Sequence, residues 1–249
     1  MMRMLLVRGM LSGLVAGLFA LVFAYIFGEP SISSAIDFES AFQAARGERP
    51  EPALVSRTMQ STIGLATAVG IYGVAFGGLF ALAFAIVYGR VGQMPARPTA
   101  AVLAVVGYLV VYVVPFLKYP ANPPSVGNAE TISERTGAYF GMVLLSLALA
   151  VAATYLGGRL TSHLSTWNAT LVACVAFIVA VALVQLLLPA IDEVPATFPA
   201  TVLWNFRIAA LGTQLVMWAT IGLLFGVLVR RQMESDNPRR TELAMPLDP

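Results

Sequence analysis

Six apolar runs, each long enough to cross a bilayer as a helix, dominate this sequence. They lie near residues 5–27, 62–88, 99–117, 138–158, 168–189 and 206–229. A helix needs about 20 apolar residues to cross the roughly 30 Å of hydrocarbon in a bilayer. Charged residues make up only 11% of the chain, against about a quarter in soluble domains, and they lie between the runs. The sequence therefore predicts an all-α, polytopic integral membrane protein with about six transmembrane helices.

The distribution of Lys and Arg predicts the orientation, because these residues concentrate in cytoplasmic loops. Nine of the fifteen lie at the N-terminus, in the second and fourth linkers and in the C-terminal tail. Those two linkers, GRVGQMPARP and GGRLTSHLS, contain no acid. We therefore expect an inner-membrane protein with both termini in the cytoplasm. Residues 1–232 are predicted to form one transmembrane domain, and the polar residues 233–249 a disordered cytoplasmic tail.

The first of the three longer connections, on the predicted outer side, carries a helix signal. Ser34 and Asp37 have the spacing of a capping box at the start of a helix. We expect a short helix there on the outer surface, with one apolar face formed by Ile36, Phe42 and Ala45.

All three outer connections end at an arginine that opens the next helix, and the helices that follow close with YGR, GGR and VRR. One interpretation is a repeat of three helical hairpins around a pseudo-threefold arrangement, in which the three arginines converge. The other interpretation is that membrane helices commonly end in arginine. The three residues are Arg57, Arg135 and Arg207.

Glycines at helical spacing predict close helix packing in the first two spans. They form a tandem GxxxG series at Gly9, Gly13 and Gly17 and a cluster at Gly73, Gly77 and Gly78. Such spacing lets helix backbones approach each other within the bilayer. The partner of each helix is either the other helix or another chain, and the latter includes a homo-oligomer.

The third span ends in an irregular, polar segment, PFLKYPANPP, over residues 115–124. Its four prolines prevent a continued helix and leave carbonyls without intrahelical donors. At membrane depth such backbone is tolerated only where protein buries it or water reaches it. We therefore predict that Lys118, Tyr119 and Asn122 line a transport path or form a structural polar cluster. We predict the same role for Arg135. Asn205 and Arg207, which follow the proline-rich stretch 189–199, are predicted to share it. For Arg207 the alternative is an interfacial arginine that extends to the lipid headgroups.

The chain offers few ligands for a tightly bound metal, because it contains one histidine, His163, and one cysteine, Cys174. No nucleophile–base pair or ATP-binding motif is visible, so we predict no catalytic residues and no enzyme activity. The net charge of +2 indicates no nucleic-acid partner. Gln214 and Trp218 share a face of the last helix, where they either line a path or pack between helices. Five acids lie on the predicted outer side: Glu29, Asp37, Glu39, Asp192 and Glu193. They are either weak oxygen ligands for a metal or part of an ordinary solvated surface.

Four stretches resemble the CbtA family over nearly the whole chain: RGMLSGLVAGLFALVFAYIFGEP, AIDFE, PFLKYPANPP and PATFPATVLWNFRIAALGTQLVMW. The resemblance implies the membrane subunit of a cobalt uptake system associated with cobalamin biosynthesis. It also implies a small single-span partner with a histidine-rich tail, a CbtB-like subunit, and cobalt(II) as the transported ion rather than a tightly bound cofactor. The family is usually described with five spans, one fewer than this sequence predicts.

Two further functions remain open from the residues alone: a permease for another small solute, such as an anion attracted by Lys118 and Arg207, and a noncatalytic assembly subunit. A cation path should have a mouth lined by carboxylates, with its bases neutralised. We predict Asp192 or Glu193 as the partner of Arg207. For Lys118 we predict Glu29 or Asp37.

Overall fold

The computed structural model of the chain describes residues 2–47 and 55–235, and these residues form helices and no strand. Three π-helical turns, Ala24–Gly28, Gln60–Gly64 and Tyr108–Val113, and one 3-10 turn, Ala129–Thr131, lie between the α-helices. The α-helices are α1 Met2–Phe23, α2 Glu29–Ala45, α3 Arg57–Met59, α4 Leu65–Val87, α5 Ala96–Gly107, α6 Val114–Lys118, α7 Ile132–Leu160, α8 Thr166–Leu187 and α9 Ala200–Ser235.

Six helical stretches are long and apolar enough to span a membrane, which confirms the predicted all-α fold and its six spans. Neighbouring α-helices join through π-helical turns in the first three of them. The stretches are Met2–Ala45, Arg57–Val87, Ala96–Lys118, Ile132–Leu160, Thr166–Leu187 and Ala200–Arg231.

Contacts within the chain define two compact units. Of the described residues, unit 1 contains 2–25, 55–106 and 212–235, and unit 2 contains 26–47 and 107–211. The single transmembrane domain over residues 1–232 stays a prediction. The disordered tail over residues 233–249 also stays a prediction. Its first three residues belong to helix α9, and residues 236–249 lie outside the described part of the chain.

The predicted capping box in the first connection is wrong. Helix α1 continues through the π-helical turn Ala24–Gly28 into α2, and Ser34 lies in the interior of α2. Its hydroxyl donates to the carbonyl of Pro30 at 2.9 Å instead of capping a helix start. The predicted apolar face is also wrong, because α2 packs through Ala35 and Phe38. The helix does not end near residue 30 because a proline in the first turn of α2 interrupts little.

In unit 1, α1 and α4 pack backbone to backbone through their glycines. A methyl group added at Gly9 would overlap the carbonyl of Gly77, and one added at Gly13 would overlap that of Gly73. The predicted close packing is therefore confirmed, and the two helices are each other's partner. This face is occupied within the chain, which removes the basis for assigning it to an assembly partner.

Helix α9 completes unit 1 with an aromatic row. Trp218 meets Phe76 edge to face at 5.4 Å between ring centroids. Phe225 meets Phe80 and Phe84 in the same way at 5.4 and 5.1 Å. Such edge-to-face pairs are a favourable arrangement of aromatic rings, so the second half of α9 is held firmly against α4.

Candidate functional site

A cavity of about 430 Å³ lies in unit 2, at the broken segment that follows the third span. Most of its walls are aromatic or aliphatic, and its charged groups are two guanidiniums and one carboxylate. Four parts of the chain form it: residues 112–126, the start of α7 at 132–140, residues 191–194 before α9, and Arg207. The two proline-rich connections therefore line one common space.

A π-helical turn and Pro115 interrupt the hydrogen bonding of the helix before the cavity, which continues through Pro115 and ends at Lys118. The Val114 amide donates to the carbonyl of Leu109, five residues back. In this register the next amide would donate to Val110, but it belongs to Pro115, which has no N–H. The Ser146 hydroxyl of α7 takes its place and donates to the Val110 carbonyl at 2.6 Å. Gln185 of α8 similarly donates to the Val114 carbonyl at 2.9 Å, so neighbouring helices satisfy the broken backbone.

Tyr119 joins the two proline-rich connections. The residue is 9% exposed, and its hydroxyl donates to the Pro189 carbonyl at 3.1 Å. Burial raises the pKa of Tyr119 above the usual tyrosine value, so the hydroxyl stays protonated and can donate. The predicted polar residue is thus brought to the cavity, where it also holds the wall together.

Arg207 also reaches from α9 to the broken segment. Its Nη2 donates to Oδ1 of Asn122 at 2.8 Å and its Nε to the Ala121 carbonyl at 3.4 Å. Asp192 interacts with the guanidinium electrostatically. Because both hydrogen bonds bind the loop directly, Arg207 fixes one wall of the cavity.

A second arginine of the cavity, Arg135, pairs with Glu193. Its Nε lies 3.4 Å from a carboxylate oxygen of Glu193, and its Nη2 donates to the Asn128 carbonyl at 3.0 Å. The Glu193 carboxylate accepts from the Asn128 amide at 2.8 Å. Hydrogen bonds from Thr131 and Asn128, with the charge of Arg135, lower the pKa of Glu193. Glu193 therefore pairs with Arg135 and not with its predicted partner, Arg207.

Three of the predicted metal ligands, Glu29, Asp37 and Glu39, lie on α2, outside the cavity lining. Glu39 on α2 accepts a hydrogen bond from Ser125 at 3.0 Å. Glu29 opens α2, and Asp37 is exposed on the same helix. Among the described residues, no group of three or more His, Cys, Asp or Glu side chains is placed to hold a metal ion. Asp192 is the one predicted acid that lines the cavity, and the roles of all five acids stay predictions.

Lys118 is half-buried next to the cavity but does not line it. Within residues 2–47 and 55–235 it has no hydrogen-bond or ion-pair partner, so the pairing with Glu29 or Asp37 is not formed. Asn205 is exposed on α9, outside the cavity lining. Of the three arginines predicted to converge, Arg135 and Arg207 line the cavity, and Arg57 lies in unit 1.

Gln214 and Trp218 lie in unit 1 and not at the cavity. Trp218 is 7% exposed. Its indole Nε1 and Oε1 of Gln214 are buried without a hydrogen-bond partner in the described part of the chain. Both predicted roles, packing and path, stay predictions.

Two supporting residues were missed at the sequence level. Ser146 and Gln185 hold the broken backbone beside the cavity, yet neither was considered. Both are polar residues within apolar runs, where an unsatisfied polar group is costly, and that signal could have identified them. Their particular partners required the tertiary structure.

Six helices long and apolar enough to span a membrane are those of an α-helical integral membrane protein. The chain belongs to the CbtA family, whose model, described as "Probable cobalt transporter subunit (CbtA)", matches residues 2–230. No curated protein and no solved structure matches the chain.

Proposed function

We propose that this chain is the membrane-embedded subunit of a cobalt(II) uptake system that supplies cobalamin biosynthesis. The observation that carries the proposal is the family match over residues 2–230. The protein lies in the inner membrane with both termini in the cytoplasm, because its Lys and Arg residues concentrate on that side.

The cavity in unit 2 is large enough for a hydrated divalent cation. Six waters at roughly 30 Å³ each occupy about 180 Å³, less than half of the 430 Å³ available. Asp192 provides the attractive charge on the wall, while Glu193 neutralises Arg135. One carboxylate and a few neutral oxygens bind a cation weakly, and weak binding is what a conduction path requires.

A partner subunit would capture the metal. Cobalt(II) favours imidazole ligands, and this chain has one histidine in 249 residues. A small single-span, histidine-rich subunit, CbtB-like, would supply these ligands and pass the ion to the cavity. The description of the family as a transporter subunit supports a multisubunit system.

A second candidate is uptake of a small anion. It is favoured by one observation: the cavity is lined by two guanidiniums, Arg135 and Arg207, and by one carboxylate, Asp192. A cavity with an excess of positive groups attracts anions.

Cobalt accumulation in cells that express the chain with and without a small histidine-rich subunit tests the proposal. We expect uptake that requires both proteins and drops at least several-fold in Asp192→Asn. Asp37→Asn is the matched variant, because Asp37 is an exposed acid outside the cavity, and should retain uptake.

The variants also separate the alternatives. Loss of cobalt uptake in Asp37→Asn but not in Asp192→Asn would place the path outside the cavity. The cobalt proposal would be rejected in favour of an anion by two results together. Cobalt uptake would be unchanged in both variants, and uptake of an anion would be lost in Arg207→Gln. Membrane insertion of each variant is checked by its yield in the membrane fraction.

A further inference from the structure

The described charged side chains of unit 1 are all arginines. Residues 2–25, 55–106 and 212–231 contain seven arginines and no Asp, Glu or Lys. In unit 2, residues 26–47 and 107–211 contain seven acids and five bases. The described side chains of unit 1 therefore carry a net positive charge.

Helix contacts within unit 1 bring six of these arginines to one end. Gly9 and Gly13 contact Gly77 and Gly73, so α1 and α4 are antiparallel and α1 begins where α4 ends. On α9, Gly226 contacts the first turn of α5, and Gly222, one turn earlier, contacts residues 100 and 104. The two helices are therefore antiparallel, and α9 ends where α5 begins. Since residues 88–95 connect α4 to α5, these four helix termini share one end. We call it the arginine end; it contains Arg3, Arg8, Arg90, Arg97, Arg230 and Arg231.

Arg8 is the residue of the arginine end that has a buried, unsatisfied nitrogen among the described residues. Its Nη1 atom is buried, and in the part of the chain that the structure describes it has no hydrogen-bond partner. Arg8 lies six residues into α1, about 9 Å along the axis from Met2 at 1.5 Å per residue. A buried N–H of a charged group that has no hydrogen-bond partner is costly. An anion close to the surface of the membrane would relieve this cost.

We propose that the arginine end binds the phosphate of an anionic phospholipid and that Arg8 is its principal contact. Phosphate matches the geometry and charge of a guanidinium, which binds it through paired hydrogen bonds. The ligand is a lipid because Arg8 lies near the start of a helix long and apolar enough to span a membrane, and arginines near helix ends extend to the headgroup layer. The surrounding arginines add long-range attraction to the same phosphate layer. The proposal does not depend on which solute the protein transports.

Thermal unfolding of the detergent-purified full chain tests the lipid site. Phosphatidylglycerol should raise Tm in a saturable way, and equal amounts of phosphatidylcholine or inorganic phosphate should not. In Arg8→Gln the apparent affinity for phosphatidylglycerol should fall about tenfold, as expected when a charge-assisted hydrogen bond is lost. Lys118→Gln, which removes a charge in unit 2, should leave that affinity unchanged.

Equal effects of phosphatidylglycerol and phosphatidylcholine would overturn the proposal. A Tm shift by inorganic phosphate equal to that by phosphatidylglycerol would identify a free-anion site and reject the lipid. An unchanged affinity in Arg8→Gln would reject Arg8 as the contact. If Arg8→Gln does not fold, native mass spectrometry of the wild type and of Arg8→Lys replaces it. The wild type must then retain more phosphatidylglycerol than phosphatidylcholine. Arg8→Lys must retain less phosphatidylglycerol than the wild type.

Discussion

Ser146→Ala should destabilise the protein because it removes the substitute for a missing amide. Ser146 is fully buried, and its hydroxyl donates to the Val110 carbonyl at 2.6 Å. Pro115 cannot make this hydrogen bond, so the substitution leaves a buried carbonyl unsatisfied. An unsatisfied buried group costs about 1–3 kcal/mol, whereas hydrogen bonds between membrane helices average about 0.6 kcal/mol and reach about 1.7 kcal/mol. We expect a loss of about 1 kcal/mol in the free energy of unfolding.

A double-mutant cycle with Pro115→Ala isolates this effect. Alanine restores an amide at position 115 that can donate to the Val110 carbonyl, so Ser146→Ala should cost much less in the Pro115→Ala background. The coupling between the two positions should be about 1 kcal/mol, within the range for residues that share a partner. The assay is reversible unfolding of the four proteins by sodium dodecyl sulfate in mixed micelles.

The matched control is Thr154→Ala on the same helix. The Thr154 hydroxyl donates at 2.8 Å to the Ala150 carbonyl of its own turn, and the residue is exposed. Its removal should change the free energy of unfolding by less than about 0.5 kcal/mol. Equal costs for Ser146→Ala with and without Pro115 would refute the claim that the serine compensates for the proline.

Three further outcomes are expected. Gly13→Ala should lower Tm markedly, because its methyl group would overlap the Gly73 carbonyl, while Gly141→Ala, with no neighbour within 4 Å, should not. The fold lowers the pKa of Glu193, so its ionised form stabilises the protein. At pH values above the ordinary pKa of 4.5, the wild type should therefore have a higher Tm than Glu193→Gln. This difference in Tm should shrink as the pH falls through the lowered pKa. Reporter fusions should all give a cytoplasmic signal after Gly92, His163 and Pro249; a periplasmic signal at the last position alone would indicate five spans.

The sequence by itself determined the membrane-spanning architecture. Six apolar runs had the length of six membrane helices, and all six appear as helices of that kind. The loss of one backbone hydrogen bond at Pro115 was equally readable, because a proline has no amide, but the helix ends at Lys118 and not at Pro115. These features depend on residues close together in the chain, so no knowledge of the fold was needed.

Only the tertiary structure decided which partners these residues meet. Glu193 lies next in sequence to Asp192, yet it pairs with Arg135 while Asp192 faces the cavity. Ser34 had the spacing of a cap, but α1 continues through a π-helical turn and leaves it within a helix. The glycine series could have met another chain, and it meets α4. In each case the sequence shows that a group needs a partner, because buried charges, carbonyls and bare backbone are costly alone. Which of several compatible partners it meets is set by the packing of helices far apart in the chain.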